Sequence, residues 1–269
     1  MSDFSAAQFG APGLPVVTLD NVGKTFATGV VALERLNLDI WPGEFVTLLG
    51  PSGCGKSTAL RLLAGLSEPT RGSIDWSDKA GAAHAAGALG FVFQEPTLMP
   101  WATVARNVRL PLKLMGIVDN AAPRVEAALA RVGLAEFASS YPRELSGGMK
   151  MRVSIARALV TEPKLLLMDE PFAALDEITR FRLNNDLLKL WQSLNKTVVF
   201  VTHSVFESVY LSQRIVVMTA RPGRVFTELE IDAPYPRDDR FRTSARYAAL
   251  CRLASEALAD ATAASRMRG

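Results

Sequence analysis

The sequence predicts an α/β fold: a mostly parallel sheet around a phosphate-binding loop, an antiparallel β subdomain ahead of it, and an inserted α-helical subdomain. Three observations carry this. Gly50-Pro-Ser-Gly-Cys-Gly-Lys-Ser57 fits the GxxxxGK[ST] pattern and lies between an apolar run, Glu44–Leu49, and a helical pattern, Thr58–Leu66. The runs Lys164–Met168, Thr197–Val201 and Ile215–Met218 are continuously apolar, as strands covered on both faces are. From Thr103 to Val160 the apolar spacing turns helical.

Along the chain, residues 1–15 are rich in Ala, Gly and Pro and are expected to be poorly ordered. Val16-Val-Thr-Leu19 and Leu36-Asn-Leu-Asp-Ile40 are short β-like runs and predict the antiparallel sheet. Glu44–Leu49 reads as a buried strand, and the helix after the loop carries Ala59, Leu60, Leu62, Leu63 and Leu66 on one face. Lys79–Ala88, rich in Ala and Gly, has no assignment; Gly90–Phe93 returns to strand. Pro123–Val132 and Met149–Val160 are the clearest helices, the second apolar on most of its surface and hence buried. The expected domains are a catalytic domain over 16–230, its helical subdomain at about 97–160, and a C-terminal extension over 231–269. No internal repeat appears, so each chain carries one set of nucleotide motifs.

At 269 residues, 49% hydrophobic and 21% charged, the chain can bury a core and is globular rather than disordered. A formal net charge of +3 is too small to argue for nucleic acid. Arg237, Arg240, Arg242, Arg246, Arg252, Arg266 and Arg268 are interleaved with acidic residues and read as a solvated basic face. Two cysteines, Cys54 and Cys251, form no disulfide framework and fit a reducing cytoplasm. The first residues lack the pattern of a signal peptide, and no apolar run approaches the roughly 18 residues of a membrane span. The expectation is a soluble cytoplasmic protein, one that need not work alone.

The strand–loop–helix context gives the loop its chemistry. Gly50, Pro51, Ser52, Gly53, Cys54 and Gly55 are small enough for backbone N–H groups to wrap the β- and γ-phosphates of a nucleoside triphosphate. Lys56 neutralises phosphate charge, the Ser57 hydroxyl ligates Mg²⁺, and Thr58 completes the cradle at the helix start. The pattern predicts a P-loop NTPase core. Cys54, at the same helix start, either favours thiolate, so that maleimide blocks nucleotide hydrolysis and bound nucleotide protects, or is a small filler residue with an ordinary thiol.

Lys164-Leu-Leu-Leu-Met-Asp169-Glu170 is an apolar strand ending in two carboxylates. Asp169 suits Mg²⁺ held through water, and Glu170 is placed to polarise a water attacking the γ-phosphate. An ordinary strand-end acidic pair is the bland alternative, which the upstream loop disfavours. In Leu145-Ser146-Gly147-Gly148-Met149, Ser146 and the two glycines leave N–H groups free at a helix start, a second anion site; alone it reads as a routine N-cap.

With Phe26, the phosphate loop, Gln94, Leu145-Ser-Gly-Gly148, Asp169–Glu170, Ala174-Leu-Asp176 and His203 in this order, the chain resembles the ATP-binding-cassette ATPases from about Val16 to Met218. The resemblance implies that Phe26 stacks on adenine and that Gln94 senses Mg²⁺ and the attacking water. It implies that His203 contacts the γ-phosphate and holds the geometry of Glu170, and that Asp176 couples two sites. Read without it, Phe26 is a core aromatic and His203 a strand-end polar residue. It further implies that one chain's signature covers the nucleotide of the other, making the active species a head-to-tail homodimer.

Gln94-Glu-Pro-Thr-Leu-Met-Pro-Trp101 and Arg221-Pro-Gly-Arg-Val225 resemble the ATPase subunits of importers for nitrate, sulfonate, taurine and related small anions. That likeness implies an ATPase driving integral-membrane permease subunits, and through them a solute-binding protein. It would sit peripherally at the cytoplasmic face of the inner membrane and bind no nucleic acid. Leu98 and Met99 are expected to line a groove for a short permease helix; alternatively Trp101 packs the helical block against the sheet. Glu144, Met149 and Met151 depart from relatives, where Gln is common. An ATP-binding-cassette protein of DNA repair needs heptad coiled coils between Ser57 and Ser146, and none appear. A translation-associated factor has two cassettes per chain, and a non-enzymatic sensor has no use for both Glu170 and His203.

Overall fold

The computed structural model describes residues 13–77 and 88–266. Residues 1–12 of the expected N-terminal segment, the unassigned 79–87, and Arg268 lie outside the described residues. The strands are β1 (Val17–Thr25), β2 (Val31–Ile40), β3 (Phe45–Leu49), β4 (Arg71–Trp76), β5 (Leu89–Val92), β6 (Leu165–Asp169), β7 (Thr197–Thr202), β8 (Arg214–Met218) and β9 (Val225–Glu230). The helices are α1 (Lys56–Leu63), α2 (Val104–Leu114), α3 (Ala121–Arg131), α4 (Gly147–Leu159), α5 (Glu177–Leu194), α6 (Val205–Leu211), α7 (Asp239–Arg242) and α8 (Ala245–Arg266). The chain divides into two units, one up to Ala82 and from Lys196 onward, the other Ala83–Asn195. None of the described helices is long and apolar enough to cross a membrane.

In the first unit, β1 pairs antiparallel with β2 and β4. Leu36, Leu38 and Ile40 of β2 point inward while Arg35, Asn37 and Asp39 do not, the alternation expected of a sheet wet on one face. β4 and β9 escaped the sequence reading because their side chains are mostly polar or partly exposed, leaving no apolar run to see. β3 is buried at every position and pairs parallel with β7 and β8, while β9 closes that edge antiparallel.

One ion cluster pins three of these strands. Arg214 of β8 is 1% exposed. Its Nε and Nη2 donate to the Glu44 carboxylate at 2.6 and 3.0 Å, Nη1 to Glu228 at 2.6 Å, and Nη2 to the Asp39 carbonyl at 2.6 Å. Burial acts to lower the Arg214 pKa; the Glu44 hydrogen bonds and the charges of Glu44 and Glu228 outweigh it, so the net direction is upward.

The C-terminal arginines correct the expectation of a uniformly solvated face. Arg237 is buried, its Nη1 donating to the carbonyls of Val209, Tyr210 and Ser212 at 2.8–3.0 Å. Its guanidinium lies 4.1 Å from the Tyr235 ring centre. The last carbonyls of α6 have no helical partner, and an arginine placed beyond them satisfies several at once. Arg240, Arg246 and Arg252 remain exposed. In α8, Tyr247, Cys251, Ala254, Ala257 and Ala261 form one buried stripe of three- and four-residue spacing.

In the second unit β5 and β6 pair parallel. Val104, Val108, Leu112, Val125, Leu129, Val153 and Ala156 form the core of the α2–α4 bundle. Asn107, fully buried in α2, accepts from the Met99 N–H at 2.7 Å and donates to the carbonyls of Met99, Ala102 and Thr103. The segment after Gln94 is thereby tied to the bundle. At 11 residues each, α2 and α3 are far too short for the coiled coil of a DNA-repair relative.

Candidate functional site

Because β3, β7 and β8 run parallel and in register, the chain leaves their carboxyl ends together. Leu49 pairs with Thr202 on one side and Val217 on the other, so Gly50 and His203 are adjacent exits from one sheet edge. That edge is where ligands bind in open α/β sheets. The loop turns through Gly53 and Gly55 at φ +75° and +103°, and a Cβ on Gly55 would lie 2.7 Å from the Ala32 carbonyl oxygen. No acidic residue in the first turn of α1 offsets the partial positive charge of its N-terminus. Lys56 is buried, its Nζ donating to the carbonyls of Gly50 and Pro51 at 2.7 and 2.9 Å. Pro51, Ser57 and Thr58 are half-buried; Ser52 is exposed. A buried ammonium among backbone amides at a helix start fits a polyphosphate.

His203 is exposed and stands just before the Ser204 cap of α6. The Thr202 hydroxyl donates to the buried Glu207 carboxylate at 2.6 Å and accepts from the Ser204 N–H at 3.0 Å, which fixes the turn presenting His203. Phe26 is 42% exposed, with Lys24 Nζ 5.9 Å from its ring centre, so it is not a core aromatic.

Cys54 corrects an expectation. Its thiol is 1% exposed and packed beneath the loop, where a Cβ on Gly50 would lie 2.8 Å from the sulfur. A thiol turned inward does not meet maleimide, whatever the field at the helix start. Labelling of Cys54, followed by peptide mass spectrometry, should therefore be far slower in the native chain than in denaturant. Equal rates in the two states would show that the loop opens freely.

In the second unit Val92 of β5 pairs with Met168 of β6, so Phe93–Gln94 and Asp169–Glu170 leave one edge together. Asp169 is buried and Gln94 exposed. Glu170 holds φ +44°, a left-handed conformation that non-glycine residues seldom adopt and that collects at functional sites. The Ser57 hydroxyl of the first unit and the Asp169 carboxylate of the second are each a hard oxygen donor of the kind Mg²⁺ takes.

The signature turns out to be a packing motif as well. Ser146 caps α4, its Oγ accepting from the Met149 N–H at 3.3 Å. Gly147 is exposed, whereas Gly148 is buried and a Cβ there would lie 2.7 Å from the Thr179 methyl. Asp176 caps α5, accepting from the Thr179 N–H at 2.9 Å; that hydrogen bond first, then the Thr179 hydroxyl, holds its carboxyl below the usual range. Thr179 thus meets both the signature glycine and Asp176. Glu144 accepts from the Tyr141 N–H at 2.5 Å and closes the short turn ahead of the signature, while Met151 is buried in the fold.

The ABC transporter family profile matches residues 33–173, from β2 to just past Glu170. The chain belongs to the ABC transporter family. An "Uncharacterized ABC transporter ATP-binding protein" of Methanocaldococcus jannaschii is 50% identical over 235 residues, 85% of this chain and 86% of that protein. An "Aliphatic sulfonates import ATP-binding protein SsuB" of Bacillus cereus (strain ZK / E33L) is 45% identical over 226 residues, 82% of this chain and 88% of that one. A solved ATP-binding cassette, dimeric in a post-hydrolysis state with ADP and Pi, is 36% identical with a TM-score of 0.69, covering 81% of this chain and 100% of that chain. This is an ABC ATPase with the P-loop α/β fold that its sequence predicts.

Several supports of this ABC ATPase's motifs were not read from the sequence. Glu207 behind His203 was legible, since Ser204-Val-Phe-Glu207 has the form of a capping box at a helix start. Thr179 was not, because nothing local says that a threonine in α5 will meet Gly148 of α4.

Proposed function

We propose that this chain is the ATP-hydrolysing subunit of an importer for a small organic anion, sulfonate-like in size and charge. It acts as a homodimer on integral-membrane permease subunits at the cytoplasmic face of the inner membrane, and a solute-binding protein delivers cargo to the permease. The observation that carries the importer reading is the 45% identity, across 82% of the chain, to the Bacillus cereus protein named for aliphatic sulfonate import. Dimerisation is supported by the dimeric cassette that shares its fold.

Residue by residue, Gly50–Thr58 receive the phosphates, Lys56 neutralises their charge, and exposed Phe26 stacks on adenine. Ser57, Gln94 and Asp169 hold Mg²⁺, which when bound offsets phosphate charge. Glu170 takes a proton from the water that attacks the γ-phosphorus as ADP departs, and His203 steadies the γ-phosphate. Ser146, Gly147 and Gly148 cover the nucleotide of the second protomer, and Asp176 couples the two sites.

Docking to the permease is assigned to a groove of about 420 Å³ in the second unit, lined by Phe91, Phe93, Leu110, Leu114 and Met115. Leu98 and Met99, expected to line a docking groove, are half-buried and lie outside this one. Leu98 packs onto the bundle core and the Met99 backbone is tied to Asn107. Trp101, 75% exposed, does not serve as packing for the helical block. Leu114 is 78% exposed, so Leu114→Asp should leave the subunit folded and able to bind ATP while copurification of permease subunits is lost. Unchanged assembly would place docking elsewhere. For the solute, deletion should abolish growth on ethanesulfonate as sulfur source and spare growth on sulfate. Growth on both would remove the sulfonate reading and leave the ATPase standing.

A further inference from the structure

Arg221-Pro-Gly-Arg-Val225 takes no part in the chemistry above, yet it forms the turn after β8, at the same sheet edge as the phosphate loop. Gly223 is pressed onto that loop, for a Cβ there would overlap the Cys54 carbonyl. Its N–H donates to the Ala32 carbonyl at 2.9 Å, and its own carbonyl accepts from the Glu34 N–H at 3.0 Å. Arg221 reaches the loop directly, Nε and Nη2 each lying 3.4 Å from the Gly53 carbonyl oxygen. The end of α8 joins the turn through Ser265, whose hydroxyl accepts from the Ala220 N–H at 2.9 Å.

Beside this turn is a cavity of about 510 Å³, bounded among others by Glu34, Arg221, Arg224, Phe226, Ala264 and Ser265. Arg224 Nη2 donates to Glu34 at 2.5 Å, and hydrogen bonding to Arg224 holds the Glu34 carboxyl below its usual range. The Arg224 Nε–H is buried and has no acceptor among the described residues. Among the residues lining the cavity, two guanidinium groups against one carboxylate leave a single positive charge. Pro222, Val225, Phe226 and Ala264 supply apolar wall. Two guanidinium groups, one net charge and an apolar wall describe a ligand with one anionic group on a short apolar body.

We propose that this cavity binds a small organic monoanion, a carboxylate or sulfonate received by the guanidinium groups of Arg221 and Arg224, and that binding lowers the affinity of the phosphate loop for ATP. Arg221 places positive potential at the loop; an anion on its guanidinium cancels that potential and competes with the Gly53 carbonyl. Coupling is reciprocal, so ATP weakens the anion by the same factor.

The test uses the full chain with butanesulfonate as probe and butan-1-ol as its neutral counterpart, read by calorimetry. Butanesulfonate should bind at one per chain and raise the ATP Kd severalfold, and butan-1-ol should bind at least about tenfold more weakly. Arg224→Leu should weaken the probe by roughly tenfold or more, as the lost charge-assisted hydrogen bond requires. Ala264→Trp, which fills the cavity from α8, should abolish both probe binding and its effect on ATP while leaving ATP affinity alone unchanged. Absence of saturable binding, or undiminished binding to Ala264→Trp, overturns the proposal; the second outcome would put the anion in the phosphate cradle itself.

Discussion

Glu170→Gln is expected to bind ATP normally and to hydrolyse it slower by a factor of about 10²–10⁴, the usual worth of a positioned general base. Glutamine keeps the size and hydrogen-bonding reach of the side chain but cannot accept the proton released as water attacks the γ-phosphorus. The left-handed φ of +44° at Glu170 and the hydrogen bond from the Ala173 N–H to its carbonyl at 3.2 Å are backbone features that glutamine leaves in place, so the geometry should survive the change. ATP should therefore persist on the protein, and a dimer closed around it should accumulate during gel filtration with ATP and Mg²⁺. Lys56→Ala should fail differently. Its ammonium lies inside the loop, and its loss should weaken nucleotide binding itself. Near-normal turnover in Glu170→Gln would remove Glu170 as the base.

Arg214→Met should lower stability by about 3–5 kcal/mol, the cost of breaking a buried pair and stranding a charge. Four hydrogen bonds disappear together, and the Glu44 side chain, 0% exposed, loses its cation. For a chain of this size, where each kcal/mol is worth roughly 2–4 °C, the thermal midpoint should fall by about 10 °C. The double variant Arg214→Met with Glu44→Leu separates the causes: if the cost is a stranded carboxylate, removing that carboxylate should recover most of the loss. Calorimetry on the two variants checks this. A single variant as stable as the parent would mean that the cluster serves orientation of β8 and β9 and adds no net stability.

Some of this protein was legible because its causes are local. The phosphate loop needs small residues, a lysine and a hydroxyl in consecutive positions, so Gly50–Ser57 announces itself, and the apolar runs of β3, β6, β7 and β8 announce strands covered on both faces. Asp169 and Glu170 were legible for the same reason, as carboxylates ending such a run. Burial on both faces predicts parallel strands, and the observed registers bring together the exits of Gly50 with His203 and of Gln94 with Glu170.

Tertiary structure alone decided what lies under the motifs. Arg214 meets Glu44 across 170 positions, and Arg237 finds the carbonyls of α6 25–28 residues away, so a tail that reads as a basic surface contains a buried brace. Cys54 and Leu98 sit in stretches whose chemistry suggests outward-facing roles, yet Cys54 is buried and Leu98 is partly buried against the bundle core. Gly148 looks like an anion-binding glycine and is also the one that lets α4 approach Thr179. Residue type and spacing state what a side chain is able to do. Whether it faces solvent, a ligand or a neighbouring helix depends on partners distant in the chain, and that is decided only when the core closes.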